Sequence, residues 1–139
     1  MIQTLTGIDS SASALAAERV RMEVITQNIA NANTTRGFDG KPYQRQQVVF
    51  EQVLQNAVGS SGPQKVEIAR IEKDERPPRL IFNPGHPDAD ADGMVAMPNI
   101  NIHEEMADLI AASRAFEANL AVVKNARAMA LQTLSIGKR

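Results

Sequence analysis

The chain has 139 residues, a formal net charge of −1, no cysteine and an aromatic share of only 4%. That length suits one ordinary domain but not two independent cores, and near-neutral charge without a basic stripe argues against a nucleic-acid partner. Lack of cysteine removes disulfides and thiolate chemistry, and no run of about 18 apolar residues offers a bilayer-spanning helix, so no direct membrane insertion is expected.

Residues 1–36 are predicted to form an N-terminal helical segment. Met1 to Thr6 has neither the basic start nor the apolar stretch of a cleaved secretory signal. Ile8, Leu15, Met22 and Ile29 recur every seven residues with Ala12 and Ile25 beside them, which is a single apolar stripe on a helix. Asp9 to Ser11 are candidates for its cap. Asn28, Asn31, Asn33 and Thr34 stand where the helix should stop, because short polar side chains compete for backbone hydrogen bonds and favour a fixed turn.

Residues 37–98 form the insert. All seven prolines and six of the eight glycines lie in it, and proline both lacks a backbone donor and clashes with a preceding helical turn. Tyr43 to Val53 and Val66 to Ile71 show partial strand character, so one or two short strands are predicted. Asn56 to Gln64 is predicted as a loop, Pro77-Pro78 as an extended lead into Leu80 to Phe82, and Asn83-Pro84-Gly85 as a turn.

Residues 99–139 give the clearest pattern. Ile102, Met106, Leu109, Ser113, Phe116, Leu120, Val123, Arg127, Ala130 and Leu134 alternate spacings of four and three, and eight of these ten are apolar, a coiled-coil seam of more than four heptads. Asn101 with Glu104 resembles a capping box, Gly137 is a stop, and Glu104, Glu105, Asp108, Lys138 and Arg139 suit the helix macrodipole. The fold class expected is mainly α: long N- and C-terminal helices packed as an antiparallel coiled-coil pair, joined by an extended, β-containing insert. One seam on one partner is marginal support for such helices. Alanines spread around the C-terminal helix permit more than one neighbour to approach, so the terminal helices are expected to gain order on assembly.

Catalytic and ligand signals are weak. Asp88, Asp90, Asp92 and Gly93 fit the first half of a calcium loop, but Asn99 stands where the closing bidentate carboxylate belongs, and Pro84 and Pro87 preclude the entering helix. A solvated acidic turn is the expectation. His86 and His103 lack the partner spacing of a zinc site, and Ser10, Ser11, Ser13 and Ser113 lack a nucleophile turn. No catalytic residue, metal or cofactor is expected.

Three stretches carry a family resemblance. Met22 to Phe38 reads MEVITQNIANANTTRGF, Pro84 to Asn101 reads PGHPDADADGMVAMPNIN, and Glu104 to Asn119 reads EEMADLIAASRAFEAN. Together with Gly40-Lys41-Pro42-Tyr43, Arg45 and Pro77-Pro78-Arg79-Leu80, they resemble the rod and hook axial proteins of the bacterial flagellum, in particular the short proximal-rod type. Asn28, Asn31, Asn33, Thr34 and Gly37 stand at the positions of that family's turn motif.

The resemblance implies a structural subunit of the basal-body rod, spanning the periplasm and transmitting torque. It further implies delivery through the flagellar type III export apparatus without signal cleavage, terminal helices lining an inner tube, and an insert facing outward. Partners would be copies of the chain and other proximal and distal rod proteins. Ile8, Leu15, Met22, Ile25 and Ile29 on the first helix, with Ile102, Met106, Leu109, Phe116, Leu120, Val123 and Leu134 on the second, are the expected assembly interface. The competing reading is a soluble helical adaptor or export chaperone docking on partner helices.

Overall fold

The computed structural model describes residues 2–53 and 65–136. The predicted loop at Asn56–Gln64 and the predicted stop and cations at Gly137, Lys138 and Arg139 lie outside the described residues. Elements follow in the order α1 (Ile2–Ala30), β1 (Gln46–Val53), β2 (Lys65–Lys73), β3 (Arg79–Phe82), β4 (Met94–Met97) and α2 (Ile102–Ile136). The two long helices pack together, and α1 also carries both strands of the β1–β2 ribbon.

Helix α1 starts earlier than its side chains suggest. Asp9, Ser10 and Ser11 lie within it rather than capping it, because the preceding residues contain no proline and Gly7 weakens a helix by only about 1 kcal/mol without breaking it. Ser13 instead bonds back to the Ser10 carbonyl at 2.8 Å. The end of the helix is chemical rather than glycine-driven. The Asn31 amide donates to the Gln27 carbonyl at 2.8 Å, satisfying an acceptor that the end of the helix would otherwise leave open, and the Thr34 hydroxyl donates to Asn31 Oδ1 at 3.2 Å.

After the turn the chain doubles back as a short arch. Tyr43 N–H donates to the Thr34 carbonyl at 3.1 Å, and Gly37 N–H to the Lys41 carbonyl at 2.7 Å. Gly40 has φ +74°, a conformation open to glycine at little steric cost. Phe38 sits at the tip with its ring wholly exposed.

Strands β1 and β2 pair antiparallel, with Val49 opposite Arg70 and Phe50 opposite Ile68. Ala69 is therefore an extra residue on β2, a bulge that switches which residues share a face. That is why the sequence alternates only partially there. The ribbon is closed at its base by Asp74 N–H to the Arg45 carbonyl at 2.7 Å and tied to α1 by Val66 N–H to Ser13 Oγ at 3.3 Å.

Strands β3 and β4 form a second antiparallel pair, running from Arg79 opposite Met97 to Phe82 opposite Met94. β4 is Met94-Val95-Ala96-Met97, with Val95 its single β-branched residue, too weak a strand signal to stand out in the sequence. Among the described residues this ribbon packs on no other helix or strand. It is tethered through its loop: the Thr35 hydroxyl donates to Asp88 Oδ2 at 2.8 Å, and Arg36 lies 3.6 Å from Asp88 Oδ1.

Helix α2 is capped as predicted at Asn101, whose Oδ1 accepts from His103 N–H at 3.1 Å, with Glu104 and Glu105 in its first turn. The core is small. Among the described residues its buried apolar side chains are Ala17, Val24, Ile25, Ala32, Val95, Ile100 and Ala112, which is what a chain poor in aromatics can assemble.

Candidate assembly interface

Where α1 ends beside the start of α2, the structure builds a polar clasp. Asn28 is 1% exposed and Glu105 is 1% exposed. The Asn28 amide donates to the Gln46 carbonyl at 2.7 Å and to Glu105 Oε2 at 3.0 Å. Its oxygen accepts from Gln46 N–H at 2.9 Å and from the Tyr43 hydroxyl at 3.1 Å. Both donors and both acceptor sites of one side chain are thus filled. Asn28 meets both backbone groups of Gln46 as a neighbouring strand residue would, which neither Asp nor Leu can do.

Glu105 is neutralised from the insert. Arg45 Nε donates to Glu105 Oε1 at 2.6 Å, and its guanidinium reaches Asp108 at 4.0 Å. Position in the first turn of α2 favours the carboxylate further. Burial, and secondarily the Glu105 carboxylate, raise the Tyr43 phenol above its ordinary value. At the ribbon base, Asp74 is held below the usual carboxylate range, chiefly by hydrogen bonds from the Arg76 guanidinium at 2.6 and 2.8 Å.

The predicted turn residues divide. Asn28 belongs to the clasp, Asn31 and Thr34 shape the turn, Asn33 is exposed, and Gly37 lies at the arch. Glu105, Arg45, Tyr43 and Gln46 were not foreseen as site residues. The available signal was Glu105 itself, a carboxylate between two apolar seam positions, which calls for a nearby cation.

The predicted seam residues also divide. On α1, Ile25 is buried, and Ile8, Leu15, Met22 and Ile29 are half-buried. On α2, Leu109, Phe116, Leu120 and Val123 are half-buried, while Ile102, Met106 and Leu134 are exposed. The face of α2 that is best covered runs through Glu105, Ala112 and Phe116, so the packed side is rotated from the Ile102–Met106 edge.

The later turns of α2 stand uncovered. Every residue from Arg127 to Ile136 is exposed. Leu134 lies five turns above Phe116 on the same side of the helix, yet it is 59% exposed. Val122, Met129 and Ile136 recur at seven-residue spacing on a second side and are exposed as well. Apolar rows of this kind mark surfaces for association rather than solvent.

The acidic turn is solvent-exposed at Asp90 and Asp92 and is held by its own backbone. Asp90 Oδ1 accepts from Asp92 N–H at 3.0 Å and Met94 N–H at 2.8 Å, and Asp88 serves Thr35 and Arg36. These carboxylates hold the loop and dock the second ribbon. Among the described residues no group of His and carboxylates is disposed to hold a metal, and no helix is long and apolar enough to cross a membrane.

Comparison with known proteins follows the same division of the chain. Residues 8–38 match the family described as flagella basal body rod protein, and residues 91–136 match the flagellar basal body rod FlgEFG protein C-terminal family. The chain is 42% identical to the flagellar basal-body rod protein FlgC of Yersinia enterocolitica, over 94% of its own length and 95% of that protein. It is 40% identical to FlgC of Borreliella burgdorferi, over 93% and 94% of the two chains. FlgC of Bacillus subtilis is 36% identical over 94% and 96%. On these grounds the chain belongs to the FlgC family of flagellar basal-body rod proteins.

Proposed function

We propose that the chain is a structural subunit of the flagellar basal-body rod, built into the proximal rod through its terminal helices and transmitting torque as part of the shaft. The observation that carries this reading is the uncovered apolar surface of α2 from Arg127 to Ile136. In the subunit, residues 1–36 and 99–139 act as one axial unit, an antiparallel helix pair, and residues 37–98 as an insert held to it by the clasp. Asn28 bonding to Glu105 near opposite chain ends of the two helices supports that pairing.

The interface assigned is the seam set of both helices. Ile25 and Phe116 serve mainly the internal pair. Ile102, Met106 and Leu134, with the Val122–Met129–Ile136 row, meet copies of the chain and other rod proteins. Family membership supports a place in the periplasm-spanning rod and delivery through the flagellar type III export apparatus.

The test replaces exposed apolar residues without touching the core. Met129→Lys with Leu134→Lys is expected to change subunit stability by about 0.5 kcal/mol or less, as exposed positions do, and to abolish incorporation into basal bodies and motility. Normal incorporation and swimming would overturn the proposal.

A further inference from the structure

We infer that Glu105, acting through Asn28 and Arg45, selects the register in which α1 pairs with α2. It is a positioning residue for the axial unit, beyond any contribution to stability. The inference rests on the antiparallel reading of the helix pair.

The apolar pattern alone does not fix the pairing. Ile8, Leu15, Met22 and Ile29 repeat every seven residues on α1, and Leu109, Phe116, Val123 and Ala130 do so on α2. Sliding one helix along the other by a heptad, about 10.5 Å, again sets apolar against apolar. Small buried residues such as Ala17 and Ala112 offer little steric key against the slide.

The clasp is not periodic. A slide of one heptad in one direction places Ala112 opposite Asn28, and in the other direction Pro98. Neither side chain can accept the Asn28 amide hydrogen that Glu105 Oε2 now takes. Glu105 would at the same time leave Arg45, which is held by the insert because Asn28 binds both backbone groups of the adjacent Gln46. Only one register satisfies the carboxylate, the amide and the guanidinium together. A lone buried polar residue specifies register in coiled coils by the same logic, since the wrong alignment strands it without a partner.

Register matters to a polymer subunit. The rows offered to neighbours on α1 and α2 are aligned only if the two helices are. A slipped subunit would present the Val122–Met129–Ile136 row about 10 Å out of place, with its own apolar pairing intact.

The experiment measures register directly in the full chain. The sequence has no cysteine, so nitroxide labels can be placed uniquely at Glu23→Cys and Ala128→Cys, both exposed positions. With Asn28 opposite Glu105, the two labels are separated along the helix axis by about 27 Å. The otherwise native chain is expected to give one distance population consistent with that separation. Asn28→Leu/Arg45→Met/Glu105→Leu, which replaces the clasp by apolar groups of similar size, is expected to add a second population displaced along the axis by about 10 Å.

Glu105→Gln keeps the side chain's shape but can serve only one of its two donors well. It is expected to show the displaced population at a lower level, and it keeps the test decisive if the triple variant fails to fold. A native-clasp distance far beyond the expected value would reject the antiparallel pairing itself. The expected native distance, with a single unchanged population in both variants, would overturn register selection and leave a purely stabilising clasp.

Discussion

At the scale of single residues, Asn28 is buried with both donors and both acceptor sites filled. Replacing it by Leu strips four hydrogen bonds and leaves Gln46 and Glu105 with unmet polar groups. A loss of about 2 to 3 kcal/mol is expected, read as a lowered denaturant midpoint. Asn28→Asp keeps the acceptors but removes both donors and sets a carboxylate against Glu105, so it should be no milder. Little change in the midpoint for either variant would show that the buried hydrogen bonds of the clasp contribute little to stability.

Tyr43 gives the clasp a pH signature. Its folded pKa is raised above the ordinary value of 10.0, so the folded state holds the phenolic proton more tightly than the unfolded chain does. The associated stability is complete below about pH 10 and is lost as pH rises through the folded value. Melting temperatures followed from about pH 9 upward should fall more steeply for the native chain than for Tyr43→Phe. Parallel profiles would contradict the assignment.

Much of this site was only half legible in the sequence. Asn28, Asn31, Asn33 and Thr34 stand out by type and position, because polar residues after an apolar stripe suggest a turn. That Asn28 faces inward was not readable, since it depends on Gln46 and Glu105 arriving from distant parts of the chain. Arg45 and Tyr43 lay in a recognisable stretch, yet no local pattern says that an insert residue will neutralise a helix carboxylate.

At the scale of elements, the long helices were legible because period, cap and breaker positions agree. α2 begins where Asn101 and Glu104 place it. α1 shows the limit of such signals: good capping residues at Asp9 to Ser11 stayed inside the helix, because nothing before them forced a stop. The strands were legible in proportion to their β-branched and aromatic content. β1 and β2 were anticipated, their bulge was not, and β4, with Val95 its single β-branched residue, left too weak a trace to stand out.

The second ribbon hangs on a narrow turn. Gly93 has φ +76°, and a Cβ there would lie 3.0 Å from Phe82 Cε2 and 3.1 Å from Pro84 Cβ. Gly93→Ala is expected to cost about 1 to 2 kcal/mol, from left-handed strain plus displacement of the Phe82 ring. Because β3–β4 packs on no other element among the described residues, the damage should be local. Hydrogen exchange should quicken in residues 79–97 and stay slow in α1. Uniform loss of protection across both helices would mean that the ribbon is coupled to the axial unit more tightly than its tethers suggest.

At the scale of the whole molecule, the chain is a helix pair with two thin ribbons attached, not a sphere around a large core. Val24, Ile25, Ala17 and Ala112 are satisfied internally, so the seams are not wholly dependent on neighbours. What remains outside is concentrated on α2, at its first turns and again from Val122 onward. A helix with apolar residues on more than one side and only one long partner has capacity for further packing. We propose that assembly into the rod uses that capacity.

The most direct test labels single cysteines placed at Met129 and Leu134 with a maleimide, once in the isolated chain and once in purified basal bodies. Rapid labelling of the isolated chain and strong protection in the assembled rod are predicted at both positions. Equal labelling in the two states would show that these apolar turns remain in water after assembly, and the proposed interface would be wrong.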